Sequence, residues 1–193
     1  MKIIGITGVS GSGKTTISKM IQQQCEAEII DADKIAKDLT QADTKYLQEI
    51  IAEFGEELLD ENRKLKRQEL ANIIFKNKTK KEKLDNLTQK YVVEEIKDQI
   101  RKSKSQLIIL DVPLLFESKL NEICDITIGI ISNQQEEIRR ICARDNITSE
   151  QAIARLKNQN NNEFFEKKCD YIVENTNLEI AQEELNKILL KLQ

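Results

Sequence analysis

Apolar positions along the chain fall into two alternating patterns. Short, nearly continuous apolar runs occupy residues 2–7, 28–30, 107–110, 126–131 and 171–173. Runs without polar alternation fit strands buried on both faces, as in a parallel sheet covered by helices. Between them lie longer stretches with apolar residues at helical spacing: 15–24, 35–54, 67–75, 84–101, 134–144 and 178–192. The last of these sets Leu178, Ala181, Leu185, Ile188, Leu189 and Leu192 on one stripe and predicts a packing helix. Ser132 with Gln135, and Thr148 with Gln151, have capping-box spacing and predict helix starts. The alternation predicts an α/β fold. The connection from Asp31 to Leu107 is too long for one crossover and helical in pattern throughout, so it predicts a helical subdomain inserted over one sheet edge. No Gly/Ser/Pro linker or internal repeat marks a second domain.

Glycine is scarce, at six, and four of the six (Gly5, Gly8, Gly11, Gly13) crowd between positions 5 and 13. There Gly8-Val-Ser-Gly-Ser-Gly-Lys14-Thr15 satisfies G-x-x-x-x-G-K-[ST], after an apolar strand and before a helical stretch. Glycines let successive backbone N–H groups turn around phosphate oxygens, and the following helix adds its positive end. Gly11, Ser12, Gly13, Lys14, Thr15 and Thr16 are therefore the expected nucleoside-triphosphate site. Lys14 would bring charge to the β- and γ-phosphates, and the Thr15 hydroxyl would ligate Mg²⁺. The N-K-x-D and D-x-x-G motifs of a signalling GTPase are absent.

Ligands of open α/β sheets bind beyond the carboxyl ends of the strands. The second run leads there into Asp31-Ala-Asp33, the third into Asp111 and Glu117, the fourth into Ser132-Asn133 and the fifth into Glu174-Asn175. Asp33 is the candidate general base, a carboxylate expected one strand over from the phosphate loop and able to reach an acceptor hydroxyl. The same Asp-Ala-Asp also suits a helix N-cap. Asp111 ends a buried strand, where an unpartnered charge is costly, and a place near Mg²⁺ would supply the partner. Arg139, Arg140 and Arg144 lie on one helix after the fourth strand, with 140 and 144 on one face. Arginines on a mobile helix can neutralise a transferring phosphate; Glu136 paired to Arg140 on a solvated face is the alternative. The basic run at Lys76, Lys78, Lys80, Lys81 and Lys83 reads as a solvated helix junction, and 22–24 and 158–162 as surface and loop.

Composition narrows the chemistry. The 193 residues include no histidine, which removes His-based triads and most zinc hydrolases. A net charge of -3 argues against binding nucleic acid through bulk positive charge. Cys25, Cys124, Cys142 and Cys169 stand far apart with no C-x-x-C pair, as expected of reduced thiols in a cytoplasmic protein. Neither a secretory leader nor a membrane span is expected.

The motifs together resemble the dephospho-CoA kinase family over nearly the whole chain. The matching pieces are Gly5-Ile-Thr-Gly8 with Gly11-Ser-Gly-Lys-Thr-Thr16, Asp31-Ala-Asp33, Phe54-Gly55, and Arg67-x-x-Leu70 with Ile74-Phe75. Further on come Asp111-Val-Pro-Leu-Leu-Phe-Glu117, Arg140-Ile-Cys-Ala-Arg144-Asp145, Arg155 with Gln159, and Asp170-Tyr-Ile-Val with Asn175. The phosphate loop is shared by many proteins; the D-x-P-L-L-F-E segment and the arginine series are far more particular. The resemblance implies one three-layer P-loop NTPase domain over residues 1–193. Its parts would be a five-stranded parallel sheet, a helical CoA-binding insert at about 34–104 and a lid at about 139–160. It implies transfer of the γ-phosphate of ATP, with Mg²⁺, to the 3′-hydroxyl of dephospho-CoA. Asp33 would be the base, aided by Lys14 and Arg140. Arg140, Arg144 and Arg155 would belong to the lid, with Arg144 on the nucleotide and Asn175 near adenine. Asp31, Arg67, Leu115, Glu117 and Arg155 would contact the acceptor, and Thr15 and Asp111 the metal. ATP and dephospho-CoA are the expected partners, with no nucleic acid and no membrane, in a monomer or weak homo-oligomer. One departure stands out: Gln89-Lys90 occupies the place of the family's usual His-Pro pair, which helps shape the acceptor site. Rival assignments are another small-molecule P-loop kinase and a regulatory ATP-binding switch.

Overall fold

A computed structural model describes residues 1–41 and 44–191. The chain divides into two compact units, Met1–Ile30 with Lys104–Gln193, and Asp31–Ser103. The elements in chain order are β1 (Lys2–Gly8), α1 (Lys14–Cys25), β2 (Glu28–Asp31), α2 (Ala32–Leu39), α3 (Lys45–Phe54), α4 (Arg67–Lys76) and α5 (Lys78–Lys102). They continue with β3 (Leu107–Asp111), β4 (Ile126–Ile131), α6 (Gln134–Asp145), α7 (Ser149–Leu156), α8 (Asn162–Lys168), β5 (Tyr171–Glu174) and α9 (Leu178–Leu190).

The five strands form one sheet in the order β2-β3-β1-β4-β5. Parallel pairing sets Ile4 beside Ile109 of β3 and Ile6 beside Ile128 of β4, while Ile130 faces Val173 of β5. These residues are at most 1% exposed and pack with Ile17 and Ile21 of α1 and with Ala181 and Leu185 of α9. Burial on both sheet faces is what the unbroken apolar runs require. The order places β1 at the centre, and the chain builds first to one side of it and then to the other. The gap between β1 and β4 is the switch point at which open α/β sheets bind ligands.

The strand order corrects one expectation. β3 stands between β1 and β2, so the carboxylate one strand over from β1 is Asp111, while Asp31 and Asp33 follow the edge strand.

The second unit has its own core of Tyr46, Ile50, Phe54, Leu58 and Leu70, with Leu84, Leu87 and Tyr91 of α5 packed on it. The helical stretch expected at 35–54 is two helices: α2 ends at Leu39, and the Thr44 hydroxyl caps α3 by accepting the Leu47 N–H. α5 starts earlier than apolar spacing suggests because Asn77 caps it, accepting the Lys80 N–H. The basic run is thus the junction of α4 and α5.

Short polar side chains that accept early helix N–H groups also mark the starts of α6, α7, α8 and α9. Thr148 and Gln151 form a complete capping box on α7. The expected box at Ser132 is not used. Asn133 caps α6 instead, and the Ser132 hydroxyl turns inward to donate to Asn175 O. The polar stretch 158–162, expected to be loop, holds the start of α8, capped by Asn161. Leu192 of the predicted C-terminal stripe lies outside the described residues, and α9 ends at Leu190.

Candidate active site

The buried strand β1 delivers the chain directly into the glycine loop, and the loop's shape depends on missing side chains. Gly11 has φ +82, and a Cβ there would sit 2.5 Å from Glu137 O. Gly13 has φ +95, and a Cβ there would sit 2.0 Å from Asn175 Nδ2. Both are left-handed conformations that residues with a Cβ adopt at a cost. Gly13 is also the N-cap of α1, and without a side chain it leaves the first-turn N–H groups of α1 to face a ligand.

Other side chains hold the outside of the loop. Lys14 Nζ donates to Gly8 O and Val9 O, each at 3.0 Å. Arg140 donates to Gly11 O and Ser12 O at 3.2 Å, and to Asn175 O at 2.8 Å. The buried Asn175 donates from Nδ2 to Ser12 O at 2.7 Å. Arg144 donates to Ser10 Oγ at 3.2 Å, and Gln159 Oε1 accepts the Ser10 N–H at 2.8 Å. Lys14, Arg140, Arg144 and Asn175 therefore meet at one loop.

Behind them, Asp145 is gripped by Arg144 and Arg155. The Arg144 hydrogen bonds lead in holding its carboxyl down at about 2, with Arg155 adding to them. Arg139 pairs with Glu136 at 2.8 Å, and Glu136 also lies 3.6 Å from Arg140.

Thr15 and Thr16 are exposed at the start of α1, whereas Asp111 is 5% exposed at the end of β3. Ser18 Oγ, one turn beyond Thr15, donates to Asp111 Oδ2 at 3.0 Å. This bond brings the Thr15 face of α1 and the end of β3 together. Thr15 and Asp111 offer hard oxygen donors of the kind Mg²⁺ takes, with substrate phosphates and water completing the shell. Among the described residues no group of three or more His, Cys, Asp or Glu could hold a metal ion.

The remaining candidates sit elsewhere. Leu115 is fully buried, and a Cβ on Gly5 would come within 2.9 Å of its Cδ2. Thr7 Oγ1 donates to Pro113 O at 3.0 Å and ties that segment to β1. The exposed Glu117 accepts from Asn160 Nδ2 at 2.6 Å. In the second unit, Asp31 caps α2 by accepting the Lys34 N–H at 3.0 Å, and Asp33 is exposed in its first turn. Arg67 donates to Lys37 O at 3.1 Å and to the Thr40 hydroxyl.

Gln159 and the main chain of Glu137 meet the loop, and Asn162 donates to Ser132 O at the end of β4. Gln159 entered only through the resemblance. Glu137 and Asn162 carry no motif; the one signal for Glu137 is an acidic residue on the apolar face of α6 beside Ile141. Burial, aided by Asp170 and at Cys124 also by Asp125, pushes the Cys124 and Cys169 thiols up to about 12.

A parallel sheet that runs from its central strand through a glycine loop into a helix N-terminus, with a lysine and arginines gathered there, defines a P-loop phosphotransferase. The particular family follows from comparison with known proteins. The family model for dephospho-CoA kinase matches residues 2–180. A dephospho-CoA kinase of Fusobacterium nucleatum is 41% identical over 178 residues, covering 92% of this chain and 91% of the relative. Among solved structures, a protein from Thermus thermophilus matches with a TM-score of 0.83 at 26% identity, covering 98% of this chain and 96% of its own. The dephospho-CoA kinase from Campylobacter jejuni matches with a TM-score of 0.72 at 29% identity, covering 100% and 98%. The chain belongs to the dephospho-CoA kinase family, and it is a kinase that uses ATP. Among the described residues no helix is long and apolar enough to cross a membrane.

Proposed function

We propose that the chain transfers the γ-phosphoryl group of ATP to the 3′-hydroxyl of dephospho-CoA, giving coenzyme A and ADP. The observation that carries this is a family match running through residues 2–180, with the arginines and asparagine of the matching motifs meeting at the phosphate loop.

In the proposed mechanism the loop amides and the N-terminus of α1 bind the nucleotide phosphates, and Lys14 neutralises the β- and γ-oxygens. Mg²⁺, held by Thr15 and Asp111 together with the phosphates, would screen charge on the transferring group. The acceptor oxygen forms its bond to the γ-phosphorus as the bond from that phosphorus to the β–γ bridging oxygen breaks. The proton of the acceptor hydroxyl passes to the Asp33 carboxylate.

The exposure of Asp33, and the assignment of the capping duty to Asp31, support this role for Asp33. Arg140, Arg144 and Arg155 belong to a lid at about 139–160, and their charge offsets that of the phosphates. Asp31 and Arg67 are proposed to contact the acceptor from within or beside the insert at about 34–104, and Glu117 from the segment after β3. Leu115, expected to contact the acceptor, is fully buried and would act only by holding that segment. The four free cysteines suit a reducing compartment.

The test measures ADP release with ATP and Mg²⁺ against dephospho-CoA, AMP, shikimate and gluconate. Turnover with dephospho-CoA alone is expected. Equal or faster turnover of another acceptor would overturn the assignment, and slow hydrolysis indifferent to acceptor would mark a nucleotide switch.

A further inference from the structure

Behind the phosphate loop lies a buried polar cluster that the mechanism above leaves unused. Glu137 of α6 is 5% exposed, and its main chain lies against Gly11. Its carboxyl accepts a hydrogen bond from the Ser132 N–H, while Asn162 Nδ2 donates to Ser132 O at 2.9 Å. Among the described residues, three buried side-chain oxygens have no hydrogen-bond partner: Ser12 Oγ on the loop, Glu137 Oε1 and Asn162 Oδ1. An ionised carboxylate only accepts, so Glu137 Oε1 is buried with nothing donating to it, and a neutral carboxyl is the cheaper form to bury there.

The charged groups facing the carboxyl are Arg140 of its own helix and Lys14 of the loop. Ser132, at the end of β4, and Asn162 of α8 are neutral. Burial opposes ionisation and outweighs both cations, pushing the group up to about 7.

We propose that Glu137 is a proton-linked positioning residue of the phosphate loop, neutral while the loop carries phosphate and, once ionised, a competitor for Lys14 and Arg140. The proposal rests on the loop being the ATP site and is independent of the acceptor. A carboxylate beneath the loop and phosphates upon it are like charges, so each must disfavour the other reciprocally. Nucleotide binding then takes up a proton, and rising pH loosens the nucleotide.

The experiment is calorimetric titration of the wild type and of Glu137→Gln with a non-hydrolysable ATP analogue and Mg²⁺. It is run from about pH 6 to about pH 8.5, either side of the titration at about 7, in buffers of differing ionisation heat. The analogue's own titration is common to both proteins and cancels in the comparison. The wild-type Kd is expected to rise relative to the variant by about fivefold or more, the low end of site-to-site couplings, with extra proton uptake that the variant lacks. Parallel Kd profiles and equal proton uptake would overturn the proposal while leaving the ATP site intact. Absence of binding to either protein would overturn the ATP site and the proposal with it. If Glu137→Gln does not fold, the wild-type proton count, corrected for the free analogue's titration, decides: uptake supports the proposal and none refutes it.

Discussion

Gly13→Ala is the sharpest test of how the loop is built, because the structure specifies what the added methyl meets. At φ +95 the new side chain forces a left-handed backbone, which costs about 1–2 kcal/mol for a residue with a Cβ. The methyl would also stand 2.0 Å from Asn175 Nδ2, so the carboxamide must leave and its 2.7 Å bond to Ser12 O is lost. Asn175 is 3% exposed, and leaving buried groups unpaired costs about 1–3 kcal/mol. The two effects together give about 2–5 kcal/mol, against about 5–15 kcal/mol for a typical domain. The variant should therefore fold in the cold, melt early and bind an ATP analogue poorly. Urea denaturation supplies the stability and calorimetry the binding. Asn175→Ala isolates the cause, since it loses the bond but removes the obstacle. If the clash is real, the double variant must be more stable than the sum of the single losses predicts, because the second methyl meets no carboxamide. Strict additivity would refute the argument and leave backbone strain alone to explain the cost.

The other predictions are brief. Asp33→Asn should lower kcat by about 10²–10⁴, toward the low end, with KM for ATP little changed; a kcat near wild type would dismiss the base. Asp31→Ala should instead destabilise α2 by about 1 kcal/mol as a lost cap, which urea melts would register. Glu137 predicts a pH slope in stability. Its carboxyl rises from an ordinary 4.5 to about 7 on folding, so the folded state holds the proton, and stability is full below 4.5 and lost as pH climbs through about 7. At about 1.4 kcal/mol per unit that loss is about 3 kcal/mol, and Glu137→Gln should lack it in urea melts on either side of neutrality.

The central strands were legible because they are buried on both faces, so apolar residues run almost continuously from Ile3 to Ile6 and from Ile126 to Ile131. Helix starts were legible where cap and apolar stripe coincide, as at Thr148, and at Arg67 from apolar spacing without a side-chain cap. At Ser132 two capping candidates stand side by side, and tertiary demand decided between them: Asn175 O claims the Ser132 hydroxyl, and Asn133 is left to cap. The start of α8 was hidden by a run of asparagines, which favours loops until one of them meets a following helix. Strand order was hidden for another reason. Chain order does not say that β3 slips between β1 and β2, which puts β2 at the sheet edge and not beside β1.

The polar groups around the glycine loop divide by chemical type, and the division explains how so flexible a segment can be a firm binding site. Most side chains that donate go to carbonyls, Lys14 to Gly8 and Val9, Arg140 to Gly11 and Ser12, Asn175 to Ser12, while Arg144 goes to the Ser10 hydroxyl. The carbonyl of Gly13 accepts from Thr16 and Ile17 within α1. Together with Ser10 N–H on Gln159 Oε1 and Ser12 N–H on Val9 O, these bonds fix the peptides of the loop before an anion is received. This ordering cost is met by folding, not by binding, and a preorganised site keeps more of its interaction energy as affinity. The donors come from α1, α6 and the end of β5, so a movement of α6 cannot leave the loop unchanged. Arg140 in particular cannot swing toward a bound phosphate without releasing Gly11, Ser12 and Asn175 together. The residue placed to respond to nucleotide is thus the same one that shapes the loop in its absence.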